Sequence, residues 1–236
     1  MEKKDSQMSD GFIKSIVLLV ICFFAYNVLT ACTHKPVVEP VKVVEPIAPI
    51  KAEEPVKSVA IPLRWEKDHP ERIPWTIALF KNIDENFDSL NKAKDLPKFC
   101  TKYTSLSVDK KKLLLATIFV ELAYYESGFN PKSNSVDVGS KSNKRTWSCG
   151  LYQLSSVDSD NWKFPFTYSY EELLTPIKNI HMAVYLMGKI IEKRGVISLK
   201  SVKEGLYWAV LSNDPNYKYT KLSKIQAKTQ SLEFCN

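Results

Sequence analysis

The chain has 236 residues, 44% hydrophobic and 25% charged, which supports one globular domain with appendages. Its net charge of +7 favours an anionic partner such as nucleic acid, a membrane face or a wall polymer. It has only 7 glycines and no GxGxxG or Walker-type string, and its three histidines are scattered without HExxH or paired CxxC. Phosphate cradles and zinc sites are therefore not expected, and no cofactor or metal is called for.

Residues 1–31 read as an address. Three lysines precede the apolar run Ser15–Leu29, which is short for a spanning helix and ends in small residues beside Cys32. Leu29-Thr30-Ala31-Cys32 resembles the bacterial lipobox. That resemblance implies cleavage before Cys32 and a diacylglycerol on its thiol, a lipoprotein anchored in the cell envelope; an uncleaved membrane anchor is the other reading. Thr33, in place of Asp after the cysteine, implies by resemblance to enterobacterial sorting the outer membrane, with the head facing the periplasm. Residues 32–63 then read as a tether, with Pro punctuation from Pro36 to Pro62 and Val-Val-Glu-Pro at 37–40 and again at 43–46. Extended at about 3.1 Å per residue, this stretch reaches roughly 80 Å. The head is residues 64–236. It keeps Cys100, Cys149 and Cys235, so one disulfide is allowed outside the cytoplasm and one thiol is left over. Cys100 with Cys235 is the expected pair, with Cys149 a buried small hydrophobe.

The head reads as mostly α. Trp75, Leu79, Phe80, Ile83, Phe87 and Leu90 form a helical stripe with Pro74 in the first turn. A second helix begins after Ser107 or Asp109, is apolar nearly all round, and ends at Gly128. A polar loop follows, from Asn130 to Thr146. Trp147–Ser155 predicts a short helix. Thr175–Gly195 predicts a long one, with Ile177, Ile180, Val184, Met187 and Ile191 on one stripe. Residues 198–213 and 216–232 predict two more. Period-2 alternation is hardly seen.

Glu121 and Glu126 lie near the end of the second helix. Five residues rotate a side chain by roughly 140°, so the two cannot form a facing carboxylate pair of the ordinary glycosidase kind. Glu121 reads as a buried acid with a lysine or backbone partner, or as part of a narrow solvated strip. Glu126 is flanked in sequence by Tyr124, Tyr125 and Phe129. An aromatic pocket there raises its pKa and makes it a proton donor near neutral pH.

The string Tyr124-Tyr125-Glu126-Ser127-Gly128-Phe129-Asn130-Pro131, followed by Gly150-Leu151-Tyr152-Gln153-Leu154, resembles the lysozyme-like domain of soluble lytic transglycosylases and goose-type lysozymes. Thr175-Pro176-Ile177-Lys178-Asn179-Ile180 fits the family's helix-opening segment. The likeness covers roughly residues 99–211. It departs in lacking an Ala-Tyr-Asn-Ala-Gly segment, in whose place stands Tyr207-Trp208-Ala209-Val210-Leu211. The resemblance implies cleavage of the β-1,4 bond from N-acetylmuramic acid to N-acetylglucosamine in peptidoglycan, with Glu126 as the single acid and base and a 1,6-anhydro product.

Candidate substrate-binding residues are Ser127, Gly150, Tyr152, Gln153 and Tyr207. Gly150 lets the chain pass close to the substrate; the other four have a plainer reading, Ser127 as a helix cap, Gln153 as a structural amide, and Tyr152 and Tyr207 as buried aromatics. Asp137 is the nearest candidate for a second carboxylate that would favour water as acceptor. The rivals are a lysozyme acting on the same bond and a non-catalytic wall-binding lipoprotein. Nucleic-acid binding explains the charge and nothing else, and the oligomeric state is open.

Overall fold

A computed structural model divides the chain into Met1–Val56 and Lys57–Asn236. It describes residues 62–137 and 146–236, all within the second unit, without the side chains of 137, 146, 159 and 202. The expected signal peptide, the expected lipid site Cys32 and the expected tether up to residue 61 lie outside the described residues.

The first long helix, α1, is Ile73–Leu90. Pro74 sits in its first turn, where a missing N–H costs nothing. Of the expected stripe, Leu79, Ile83 and Leu90 are buried, while Trp75, Phe80 and Phe87 cover the edge of the core. The central helix, α2, is Val108–Ser127. Ser107 caps it through its side-chain oxygen, and Gly128 ends it at φ 61°, a left-handed turn that glycine adopts without a Cβ penalty. Residues 114–123 of α2 are all buried, so the helix forms the middle of the core as its apolar composition requires.

The polar segment after α2 is not simply a loop. Asn134–Asp137 (β1) and Thr146–Cys149 (β2) pair antiparallel, with Asn134 opposite Cys149 and Val136 opposite Trp147. The helix expected over Trp147–Ser155 does not form. Trp147–Cys149 is strand, and Gly150 (φ 76°) and Gln153 (φ 49°) turn the chain left-handed, so that Leu154 bridges back to Cys149. Left-handed positions cannot continue a right-handed helix.

Two short turns of helix, α3 (Asp158–Asn161) and α4 (Tyr170–Leu173), lead to α5, Pro176–Arg194, which packs along α1. On α5, Ile180, Val184, Met187 and Ile191 are buried, but Ile177 is 41% exposed. The expected helix over 198–213 is also absent. Val202–Glu204 and Ala209–Leu211 are single 3-10 turns, separated by Gly205 at φ 97°, where a Cβ would lie 2.7 Å from the Arg194 side chain. The last helix, α6, is Leu222–Gln230. The Cys100–Cys235 disulfide ties the end of the chain to the segment before α2, and Cys149 is free and buried, as expected. Burial lifts the Cys149 thiol to about 11, so it is not a ready nucleophile.

Candidate active site

Glu126 occupies the last turn of α2, two residues before the left-handed break at Gly128. Its side chain is half-buried, and burial alone raises its pKa from 4.5 to about 7. The rings that flank it in sequence pack on one another. Tyr124 lies 200° away around the helix and packs on Tyr125, on Phe129 and under the Arg64 guanidinium. Phe129, at φ 65°, turns into the core against Trp65.

The helix end and the Gly150 turn, far apart in sequence, are joined by successive main-chain hydrogen bonds. The Ser127 carbonyl accepts from Asn130 N at 3.1 Å, and the Asn130 carbonyl accepts from Ser133 N at 3.1 Å. The Ser133 carbonyl then accepts from Gly150 N at 2.9 Å and from Gln153 Nε2 at 3.2 Å. The two motifs are therefore held as one unit, and the Gln153 amide is what fastens them. Its Nε2 also donates to the Gly150 carbonyl at 3.0 Å, and its Oε1 accepts from Ser135 Oγ at 3.1 Å. That is the structural use of this amide.

Asn179, on α5, holds the turn from behind. It is fully buried, donating through Nδ2 to the Cys149 carbonyl at 3.0 Å and the Leu173 carbonyl at 2.9 Å, and accepting from Tyr152 N at 2.9 Å. The small residue at 150 is dictated by this packing: a Cβ there would lie 2.2 Å from Asn179 Nδ2 and 2.4 Å from the Leu173 carbonyl. Tyr152 is wholly buried edge-on to Phe119, so its ring has no face for a sugar. Ser127 donates its hydroxyl to the Ala123 carbonyl at 3.0 Å, which closes the last turn of α2.

Tyr207 is half-buried and is the candidate nearest in character to the acid. Its hydroxyl donates to Asp158 Oδ2, and the same oxygen accepts from Ser155 N at 2.9 Å. Burial, then the Asp158 charge, pushes the phenol well above its usual value, and the Glu126 charge adds to the shift. Tyr207 thus stands within electrostatic reach of Glu126 and is held by a buried carboxylate. Trp208 beside it donates Nε1 to the Tyr152 carbonyl at 2.9 Å, seating this strip against the Gly150 turn.

Sequence reasoning missed Asp158, whose Ser-x-x-Asp spacing from Ser155 was a visible local hydrogen-bonding signal. It also gave Asn179 no role, although a lone amide in an apolar stripe is such a signal. Asp137 ends β1, opposite Thr146. Among the described residues no group of three or more His, Cys, Asp or Glu could hold a metal ion.

Residues 106–202 match the family model described as Transglycosylase SLT domain. This is the family that the Glu126 and Gly150 motifs resemble, and the match begins at the approach to α2 and ends beyond α5. Among solved structures, Bd0314 DslA in wild-type form 2 is similar at 22% identity with a TM-score of 0.64, covering 75% of this chain and 98% of that one. A mutant of that protein with Gln in place of a Glu is similar at 21% identity with a TM-score of 0.64, covering 75% of this chain and 98% of its own. A second such mutant is similar at 21% identity with a TM-score of 0.63, covering 74% and 97%. The shared fold is the mostly α, lysozyme-like one expected for the SLT segment. No curated protein matches.

Proposed function

We propose that the chain is a peptidoglycan lytic transglycosylase, cutting the β-1,4 bond from N-acetylmuramic acid to N-acetylglucosamine with Glu126 as its single acid and base. The observation that carries this reading is a carboxyl whose burial holds its pKa at about 7, at the end of the central helix of an SLT segment. Such a group is protonated often enough to act as an acid and ionised often enough to act as a base.

In the first step Glu126 gives its proton to the glycosidic oxygen as the C1–O bond breaks. The muramoyl acetamido oxygen shares the positive charge at C1, the substrate-assisted route that needs no second carboxylate. Glu126, now a carboxylate, takes the proton of the C6 hydroxyl while O6 bonds to C1. A 1,6-anhydro end results, and the acid is restored. Tyr207, steadied by Asp158, stands beside this exchange as a substrate-side hydrogen-bonding group. The chain reaches its polymer from a lipid on Cys32 in the outer membrane, through the proline-rich tether.

The test is digestion of purified sacculi by the full chain and by Glu126→Gln, read by mass spectrometry. Anhydro-muramoyl ends are expected from the parent, with turnover down by about 10² or more in the variant and its melting temperature kept. Reducing ends would make the enzyme a hydrolase on the same site, and sacculi unchanged by the parent would make it a binding module. An active Glu126→Gln would remove the acid from the mechanism.

A further inference from the structure

We propose that the segment through which the tether enters the domain, residues 63–72, belongs to the catalytic frame, and that Arg64 is a positioning residue for Glu126. The proposal rests on the reading of Glu126 as the acid.

Three side chains of this segment grip α2 and its exit at positions that bracket Glu126 on both sides. Arg64 Nη1 meets Glu121 Oε2 at 2.6 Å, one and a half turns before the acid. The same guanidinium lies 3.4 Å above the Tyr124 ring, half a turn before it. Trp65 sets its edge to Phe129 at 6.2 Å, just after the break, and Arg72 lies 5.8 Å over that same ring. The grip is itself fixed. Trp65 is fully buried, donates Nε1 to Thr76 Oγ1 at 2.8 Å, and accepts from Arg72 Nη1 at its carbonyl at 3.3 Å.

Glu121 is the notable member. It is 2% exposed, and its Oε1 has no hydrogen-bond partner among the described residues. A buried carboxylate held on one oxygen is a poor source of stability, because desolvation offsets much of the attraction. It is a good source of direction, since removing Arg64 leaves a buried charge that has to move. The partner is an arginine rather than the lysine or backbone group expected from sequence. Arginine's planar head reaches the carboxylate and covers the Tyr124 ring together.

The geometry explains why direction matters here. A side-chain tip sits roughly 6 Å from a helix axis, so a 10° rotation of the last turn moves it about 1 Å. A misplacement of that size costs up to about 10² in rate. The contacts at 121, 124 and 129 oppose that rotation, and none of them touches Glu126 itself.

The experiment compares the full chain with Arg64→Met and with the double variant Arg64→Met/Glu121→Leu, on soluble uncrosslinked glycan strands. Each is assayed at a temperature where circular dichroism shows it fully folded. Replacing both members of a buried pair with apolar groups is often neutral for stability, so the double separates folding from positioning. The expected result is a melting temperature near the parent's, with kcat down about tenfold and KM within twofold. A double variant that recovers parental kcat along with parental stability overturns the proposal, because the pair is then only structural. Should the double fail to fold, Arg64→Met, altered on the exposed side, is read by the same rule. Glu126→Gln run in parallel keeps the two claims apart. If it retains turnover, the acid assignment falls and the positioning role with it; if it is inactive while the double variant is unimpaired, only the positioning role falls.

Discussion

Glu126 ionises across a window set by its burial, and the sign of its effect on stability follows. An unfolded chain releases this proton near 4.5, whereas the folded one holds it to about 7. Between those values the folded state binds more protons, so stability from this residue is full below 4.5 and is lost as pH rises through 7. Glu126→Gln is expected to be more stable than the parent at pH 8, by at most about 3 kcal/mol, and indistinguishable from it at pH 4; urea titrations at the two values check this. Activity should follow the protonated form, with kcat/KM falling above about 7 on the alkaline side. That Glu126 ends an apolar helix, and that burial raises its pKa, were legible in the sequence. The packing of its neighbours was not. Adjacent residues point apart on a helix, so the aromatic residues on either side of Glu126 in the sequence pack against each other and Arg64 instead.

The long helices declared themselves because their signals are redundant. α2 has a capping serine, a buried apolar body and a terminal glycine that all agree, and α5 has Pro176 and Gly195 at its ends. The failures lie where single residues in left-handed backbone override an apolar pattern, at Gly150 with Gln153 and again at Gly205. Periodicity does not report φ, and a run of Leu, Tyr and Trp can be buried in turns as well as in helix. The Gly150 turn makes a sharp test of this. Gly150→Ala puts a methyl against both Asn179 and the Leu173 carbonyl in left-handed backbone, so a loss of roughly 2–5 kcal/mol is expected in urea unfolding. Trimming Asn179 to Ser in that background should not restore it, because the main-chain carbonyl at 2.4 Å remains.

The proposal for the whole molecule is a folded head carried on an acylated tether. The proposed lipid anchor belongs to this scale: a metabolic fatty-acid label is expected on the parent and absent from Cys32→Ala, and a label that persists in the variant refutes the lipobox. Nothing in the composition announced that Leu63, where the expected tether ends, and Trp65 just beyond it would be buried in the core, because a proline-rich run and the domain it serves read as separate from sequence. The cysteine arithmetic was more informative. Three thiols allowed few pairings, and Cys100 with Cys235 is the one that forms. That bond encloses the whole of residues 106–202, the stretch that matches the SLT family model, within one covalent ring. A protease that cuts the chain once anywhere inside the ring opens a circle rather than releasing a piece, so both fragments stay attached until a reductant arrives.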